Sequence, residues 1–177
     1  MSMSLQELID REEVYDVIMR YTHYMDLVDI DNLMECFHEG ADIGFPSDVY
    51  QGKGQGFVKE FLANEERNNF KDSMHMVGNM LIDLDGDVAY VESYMYAIVE
   101  SSPTNPRWGD KTLTFWGRYI SRVEKRNDEW RLAEHRLLLD WQRDNTTDGW
   151  YELPPERRKK RDLTDPALTH ERWNPNA

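Results

Sequence analysis

SMHMVGNMLIDLDGDVAYVESYMYAIV, residues 73–99, holds two runs rich in strand-forming residues, Met76 to Leu84 and Val88 to Val99, on either side of Asp85-Gly86-Asp87. Branched and aromatic side chains at period two suit a pleated surface, and a Gly beside Asp supplies the positive φ of a tight turn. A hairpin is therefore expected here. A second is expected downstream, pairing Thr112 to Val123 with Trp130 to Trp141 across Lys125 to Glu129. Upstream of residue 73 the period is helical. Ser4-Leu-Gln-Glu7 reads as a capping box, after which Ile9, Val14, Val17, Ile18, Tyr21 and Met25 recur on one face of a long first helix. Asp29 and Asp31 offer N-caps for a shorter helix through Leu33, Met34 and Phe37, ending near His38-Glu39-Gly40. A short strand, Ala41 to Phe45, is stopped by Pro46, and Gly52-Lys-Gly-Gln-Gly56 leads into a third helix carrying Phe57, Val58, Phe61 and Leu62. Helices followed by antiparallel strands predict an α+β domain, its helices packed on one face of a curved antiparallel sheet.

At 177 residues the chain suits one domain, able to bury roughly two thirds of its unfolded surface without disulfide or metal support. That domain is expected over residues 1–142. Residues 143–177 are polar and Pro-containing without a helical or strand period, and read as an extended tail whose Trp150, Tyr151 and Trp173 dock on the domain or on a neighbouring subunit. A homo-oligomer is expected. Thirty-four acidic against 21 basic residues give a net charge of −13, which repels a phosphate backbone, so nucleic acid is not an expected partner. Arg157 to Arg161 form the main basic cluster and lack interleaved aromatics. No stretch approaches the ~20 consecutive apolar residues of a membrane span. Cys36 is the one cysteine and the first residues lack a signal-peptide pattern, so a cytoplasmic protein is expected.

The glycines at 52, 54 and 56 meet neither dinucleotide nor P-loop spacing. The histidines at 23, 38, 75, 135 and 170 show no close metal-ligand spacing, and no zincin or nucleophile-elbow motif occurs. Four polar residues stand where the pattern is otherwise apolar: Tyr21, Asp26, His75 and His135. Asp26 lies about 80° from Ile18 around the first helix, at the border of its buried stripe, where a carboxylate either meets solvent or faces the sheet. Tyr21 is central to that stripe, so its ring is core and its hydroxyl needs a partner. His75 reads either as a satisfied core histidine or as an acid–base group. In the last hairpin, strand alternation puts Leu113, Phe115, Gly117 and Tyr119 on one apolar face, and Ala133, His135, Leu137, Leu139 and Trp141 on the other strand's apolar face. His135 intrudes there, either as a buried histidine bonded to backbone or tyrosine, or as a site residue.

Three segments, IMRYTHYMDLVDIDNLMECF (residues 18–37), SMHMVGNMLIDLDGDVAYVES (73–93) and GRYISRVEKRNDEWRLAEHRLLLDW (117–141), resemble in order and spacing those of SnoaL-like proteins of the nuclear transport factor 2-like superfamily. The resemblance covers residues 9 to 142. It implies a cone-shaped α+β barrel, about three helices closing the concave side of a strongly bent sheet around an apolar pocket. In the dehydratase and dehydrochlorinase branch of that family, an aspartate after the first helix and a histidine heading the long hairpin form a catalytic dyad, and Asp26 and His75 fall at those positions. Tyr21 matches a tyrosine five residues before the aspartate in the bile-acid dehydratases. His135 stands where the dehydrochlorinases have a pocket arginine, a departure, as is Ala97, near which some dehydratases carry an acid or histidine. The resemblance implies a cofactor-independent lyase, dehydratase-like, whose dyad abstracts a proton from a small cyclic or aromatic-like substrate. Its implied site is Asp26, His75 and Tyr21 for catalysis, with His135, Tyr119, Phe115, Leu137, Leu139 and Trp141 against the substrate, and neither metal nor cofactor. An isomerase or cyclase using the same dyad, a noncatalytic small subunit of a ring-hydroxylating dioxygenase, and a binding module are the alternatives.

Overall fold

A computed structural model describes residues 3–46, 50–66, 69–146, 160 and 164. Helix α1 (Leu5–Leu27) opens with the expected capping box: the Ser4 hydroxyl accepts from the Glu7 backbone N–H and the Glu7 carboxylate accepts from that of Ser4. It ends at Val28, whose φ of 53° lies in the left-handed region disfavoured for a β-branched residue, two positions after Asp26. Helix α2 (Ile30–Glu35) starts on Asp29, which accepts from the Asn32 N–H. It is shorter than the sequence predicts, because Phe37 already belongs to strand β1 (Phe37–Gly44). Gly40, at a φ of +75°, takes up the register shift that lets both ends of β1 pair with the same neighbour. Strand β2 (Gln51–Lys53) pairs antiparallel with β1, and one α turn, α3 (Gly54–Gly56), widens into a π-type helix over Phe57–Glu66.

Four long strands follow: β3 (Phe70–Asp85), β4 (Val88–Ser101), β5 (Lys111–Arg126) and β6 (Glu129–Thr146). The first pair turns at Gly86, with a φ of +60°, and the second at Asn127 and Asp128, both left-handed. Each is longer than the sequence predicts. His75 consequently sits within β3 rather than at its head, because pairing begins at Phe70 opposite Ser101. The β5–β6 ladder likewise runs on to Thr146 opposite Lys111. Of the tail expected over residues 143–177, residues 143–146 belong to β6, and the rest, with Trp150, Tyr151 and Trp173, lies outside the described residues apart from 160 and 164.

Strand order is β2-β1-β6-β5-β4-β3, and the sheet is not closed. It is mixed rather than wholly antiparallel, since β1 runs parallel to β6. The inner face is covered by α1, whose buried side chains Val14, Val17, Ile18, Tyr21 and Met25 join Phe57, Val58 and Leu62 in one core with Val91, Met95, Ala97, Tyr119, Val123 and Leu132 of the sheet. Two adjacent residues near the N-terminus of the helix tie it to strands on opposite sides of the sheet. Arg11 donates to the Ile82 carbonyl (2.6 Å) on β3, while Asp10 accepts from Trp130 Nε1 (3.1 Å) and Lys125 Nζ (3.0 Å) at the far hairpin.

Two bulges on β6 revise which of its residues face inward. Leu132 pairs with Val123 and Glu134 with Arg122, leaving Ala133 as the extra residue; Leu139 pairs with Gly117 and Trp141 with Trp116, leaving Asp140 extra. Each extra residue reverses the alternation beyond it. Leu132, fully buried, thus takes the inward place that simple alternation gives Ala133. Trp141 is turned to the outer face, beside Trp116 and 72% exposed.

Candidate active site

α1 and β3 meet at Asp26. Its carboxylate accepts three hydrogen bonds from one short stretch of β3: the Ser73 hydroxyl at 3.0 Å, the His75 backbone N–H at 2.8 Å and His75 Nδ1 at 2.7 Å. The two side chains are 16% and 9% exposed. An ionised carboxylate can only accept, so the pairing puts the imidazole proton on Nδ1 and leaves the Nε2 lone pair free. Alternation explains the convergence, because Ser73 and His75 are two residues apart on one strand and share its inner face. Ser73 is the residue sequence reasoning missed, and its parity with His75 was the available signal.

Tyr21, one and a half turns before Asp26, is fully buried on the same helix. Its ring packs edge-on against Phe37 and Tyr119, at centroid distances of 5.8 and 5.9 Å, and lies 4.4 Å from the ring of His135. Tyr119, 1% exposed, lies 4.6 Å from His135. Its phenol is held well above the ordinary value, first by burial and then by the negative charge of Asp26. His135 has no exposed surface and accepts or donates one hydrogen bond, between Nδ1 and the Ser121 hydroxyl at 2.8 Å. Burial without a carboxylate partner lowers its pKa to about 3, so the ring is neutral near pH 7.

The structure therefore brings Asp26, His75, Tyr21, Tyr119 and His135 to the inner face, with Phe115, Leu137 and Leu139 half-buried against the same core. Trp141 is not among them, for the reason given by the bulge at Asp140. Ala97 pairs directly with His75, and its methyl offers no polar group there. Two clefts open elsewhere. One lies between α1, α2 and the β5–β6 turn around Arg20, Cys36 and Arg131, and one on the outer sheet face around Tyr94, Tyr96 and Trp141; neither is lined by Asp26 or His75. Among the described residues, no group of three or more His, Cys, Asp and Glu side chains is placed to hold a metal ion, and no helix is long and apolar enough to cross a membrane.

The SnoaL-like domain family matches residues 6–136. No curated protein sequence matches the chain. Among solved structures, a hexachlorocyclohexane dehydrochlorinase of type 2 is similar at a TM-score of 0.74 and 14% identity, over 85% of this chain and 97% of that one. The type 3 enzyme from Novosphingobium barchaimii LL02 gives 0.73 at 15% identity, over 85% and 99%. A scytalone dehydratase candidate from Novosphingobium aromaticivorans gives 0.66 at 19% identity, over 82% and 97%. At such identities the likeness shows a shared fold.

Proposed function

Since the chain belongs to the SnoaL-like domain family, we propose that it is a cofactor-independent lyase of the dehydratase kind, acting on a small cyclic or aromatic-like substrate. The observation that supports this most is the Asp26 carboxylate held by three donors of β3, one of them the His75 ring. Two of the similar structures carry names, dehydrochlorinase and scytalone dehydratase candidate, that denote eliminations.

In this reading His75 Nε2 removes a proton from a carbon next to an activating carbonyl, and Asp26 stabilises the imidazolium that results. The C–H electron pair becomes the new C=C bond, the C–O bond breaks, and the proton on His75 passes to the departing hydroxyl, which leaves as water. Tyr21 polarises the carbonyl or leaving oxygen. Tyr119, His135, Phe115, Leu137 and Leu139 orient the ring. No redox change occurs, so the step calls for no electron carrier.

Incubation with a panel of cyclic hydroxy-ketones, followed by mass spectrometry, tests the proposal. A product lighter by one water, lost in His75→Gln and Asp26→Asn, is the expected result. A product of unchanged mass would make the protein an isomerase or cyclase, and bound but unaltered ligand would make it a binding module.

A further inference from the structure

His135 Nε2 is a buried polar atom without a hydrogen-bond partner, on a residue with no exposed surface. Its other nitrogen is engaged by Ser121, and the rings of Tyr21 and Tyr119 flank it at 4.4 and 4.6 Å. An unmade bond on an enclosed imidazole nitrogen is costly, so a polar group brought to Nε2 would be stabilised there. On β4, separated from His135 by β5, Ser93, which pairs with Tyr119, also has a buried hydroxyl without a partner. Both atoms belong to the inner face that carries His75.

The charges around these atoms are one-sided. Among the described residues no lysine or arginine is buried, whereas Asp26 contributes a negative charge that reaches Tyr119. An anionic group brought to this wall would lose its water and meet a like charge with no buried cation to offset it. A carbonyl or hydroxyl oxygen faces no such opposition.

We propose that the wall formed by His135 and Tyr119 reads an uncharged oxygen of the substrate through His135 Nε2, and that substrates bearing a carboxylate or phosphate there are rejected. This rests on the dyad and this wall serving one ligand. The Ser121 hydroxyl sets how the oxygen is read. When it donates to Nδ1, Nε2 carries the proton and donates to a carbonyl; when it accepts, Nε2 is bare and accepts from a hydroxyl. His135 is thus a positioning residue with two neutral tautomers, suited to a hydroxy-ketone and to the enone left after loss of water. A halide leaving group would develop full negative charge beside the same wall, so water is the favoured leaving group.

Nitrogen-15 NMR of the full chain with labelled histidine, titrated at pH 7 with 2-tetralone, 2-naphthol and 2-naphthoate, tests this. The neutral probes are expected to shift the His135 Nε2 resonance, in opposite senses for ketone and phenol, while naphthoate binds at least tenfold more weakly. His135→Leu is expected to weaken tetralone at least tenfold. Should that variant fail to fold, the wild-type titration stands alone. Equal binding of naphthoate, or neutral probes that leave His135 unmoved or do not bind, would overturn the proposal. Deuterium exchange at the tetralone α-carbons in the same samples reports on the dyad separately. A His135 shift without exchange would sink the lyase reading and leave this one; exchange without a His135 shift would do the reverse.

Discussion

At the scale of single residues, the Asp26–His75 pair carries the sharpest expectation. Replacing His75 by Gln keeps a side chain of similar reach but removes the base, so kcat is expected to fall about 10²–10⁴-fold on any substrate that the panel yields. Asp26→Asn has two effects. Its amide nitrogen cannot accept from Ser73 or His75, so one of their donors is stranded, and thermal unfolding should register a loss of about 1–3 kcal/mol in addition to the lost activity. Ser73→Ala separates them: the carboxylate keeps its charge and its ring partner, and kcat should drop far less than in either dyad variant. Cys36 makes a contrasting case. It is 6% exposed and burial pushes its thiol up to about 12, so at pH 8 a disulfide reagent such as Ellman's should label it only after denaturant is added. Rapid labelling of the native chain would show that α2 opens readily. Much of this site was legible in the sequence. Asp26 stood at the border of the helix stripe, and His75 was the one histidine of the first expected hairpin, as His135 was of the second. Ser73 and Ser121 were recoverable by extending the alternation by one step, because each shares its strand's face with a residue already singled out.

Between elements, the pairing of β5 with β6 determines what the inner wall contains. Gly117 lies at the bulge where Asp140 is the extra residue, and a Cβ at this position would collide with the Leu138 backbone carbonyl oxygen. The obstacle is backbone, not the end of a flexible side chain, so it cannot be relieved by a rotamer change. Gly117→Ala is expected to cost about 1–3 kcal/mol and to disturb the alternation on which Leu139 and Trp141 depend; denaturant unfolding measures the first and tryptophan fluorescence the second. Tm unchanged in Gly117→Ala would mean that β6 can slip there freely. The same bulge is why alternation alone puts Trp141 on the wrong face. Alternation assumes that partners advance one for one, and nothing in Leu137-Leu-Leu-Asp-Trp141 announces that Asp140 has no opposite number. Ends of elements failed similarly. Local periodicity makes Phe37 the last apolar position of a helix, whereas its inclusion in β1 depends on the distant Leu132, a contact that such periodicity does not encode.

For the whole molecule, the order of elements was readable and the sheet's topology was not. Two hairpins are local events with turn residues to mark them, whereas the parallel docking of β1 on β6 joins distant parts of the chain and leaves no composition signal. That docking also buries titratable groups. His38 of β1 is 8% exposed, with Nε2 bonded to the Glu124 carbonyl at 2.7 Å, and burial, aided by the charges of Arg126 and Arg131, lowers its pKa to about 4. His135 of β6 is lowered to about 3. Both values lie below the ~6.5 of a histidine in an unfolded chain, so between those limits the unfolded state binds protons that the native state refuses. Stability is accordingly full above about pH 6.5 and declines as pH falls, with each such histidine adding at most about 1.4 kcal/mol per pH unit. The decline from His38 ends near pH 4 and that from His135 near pH 3. Calorimetry from pH 7.5 to 4 should therefore show Tm falling below pH 6.5 in wild type. His38→Gln should flatten part of the slope by removing one titrating group while keeping a polar side chain beside the Glu124 carbonyl. A slope unchanged in that variant would mean that His38 reaches water and titrates in the folded chain, and with it that the parallel β1–β6 seam is looser than the packing around Phe37 and Leu132 requires.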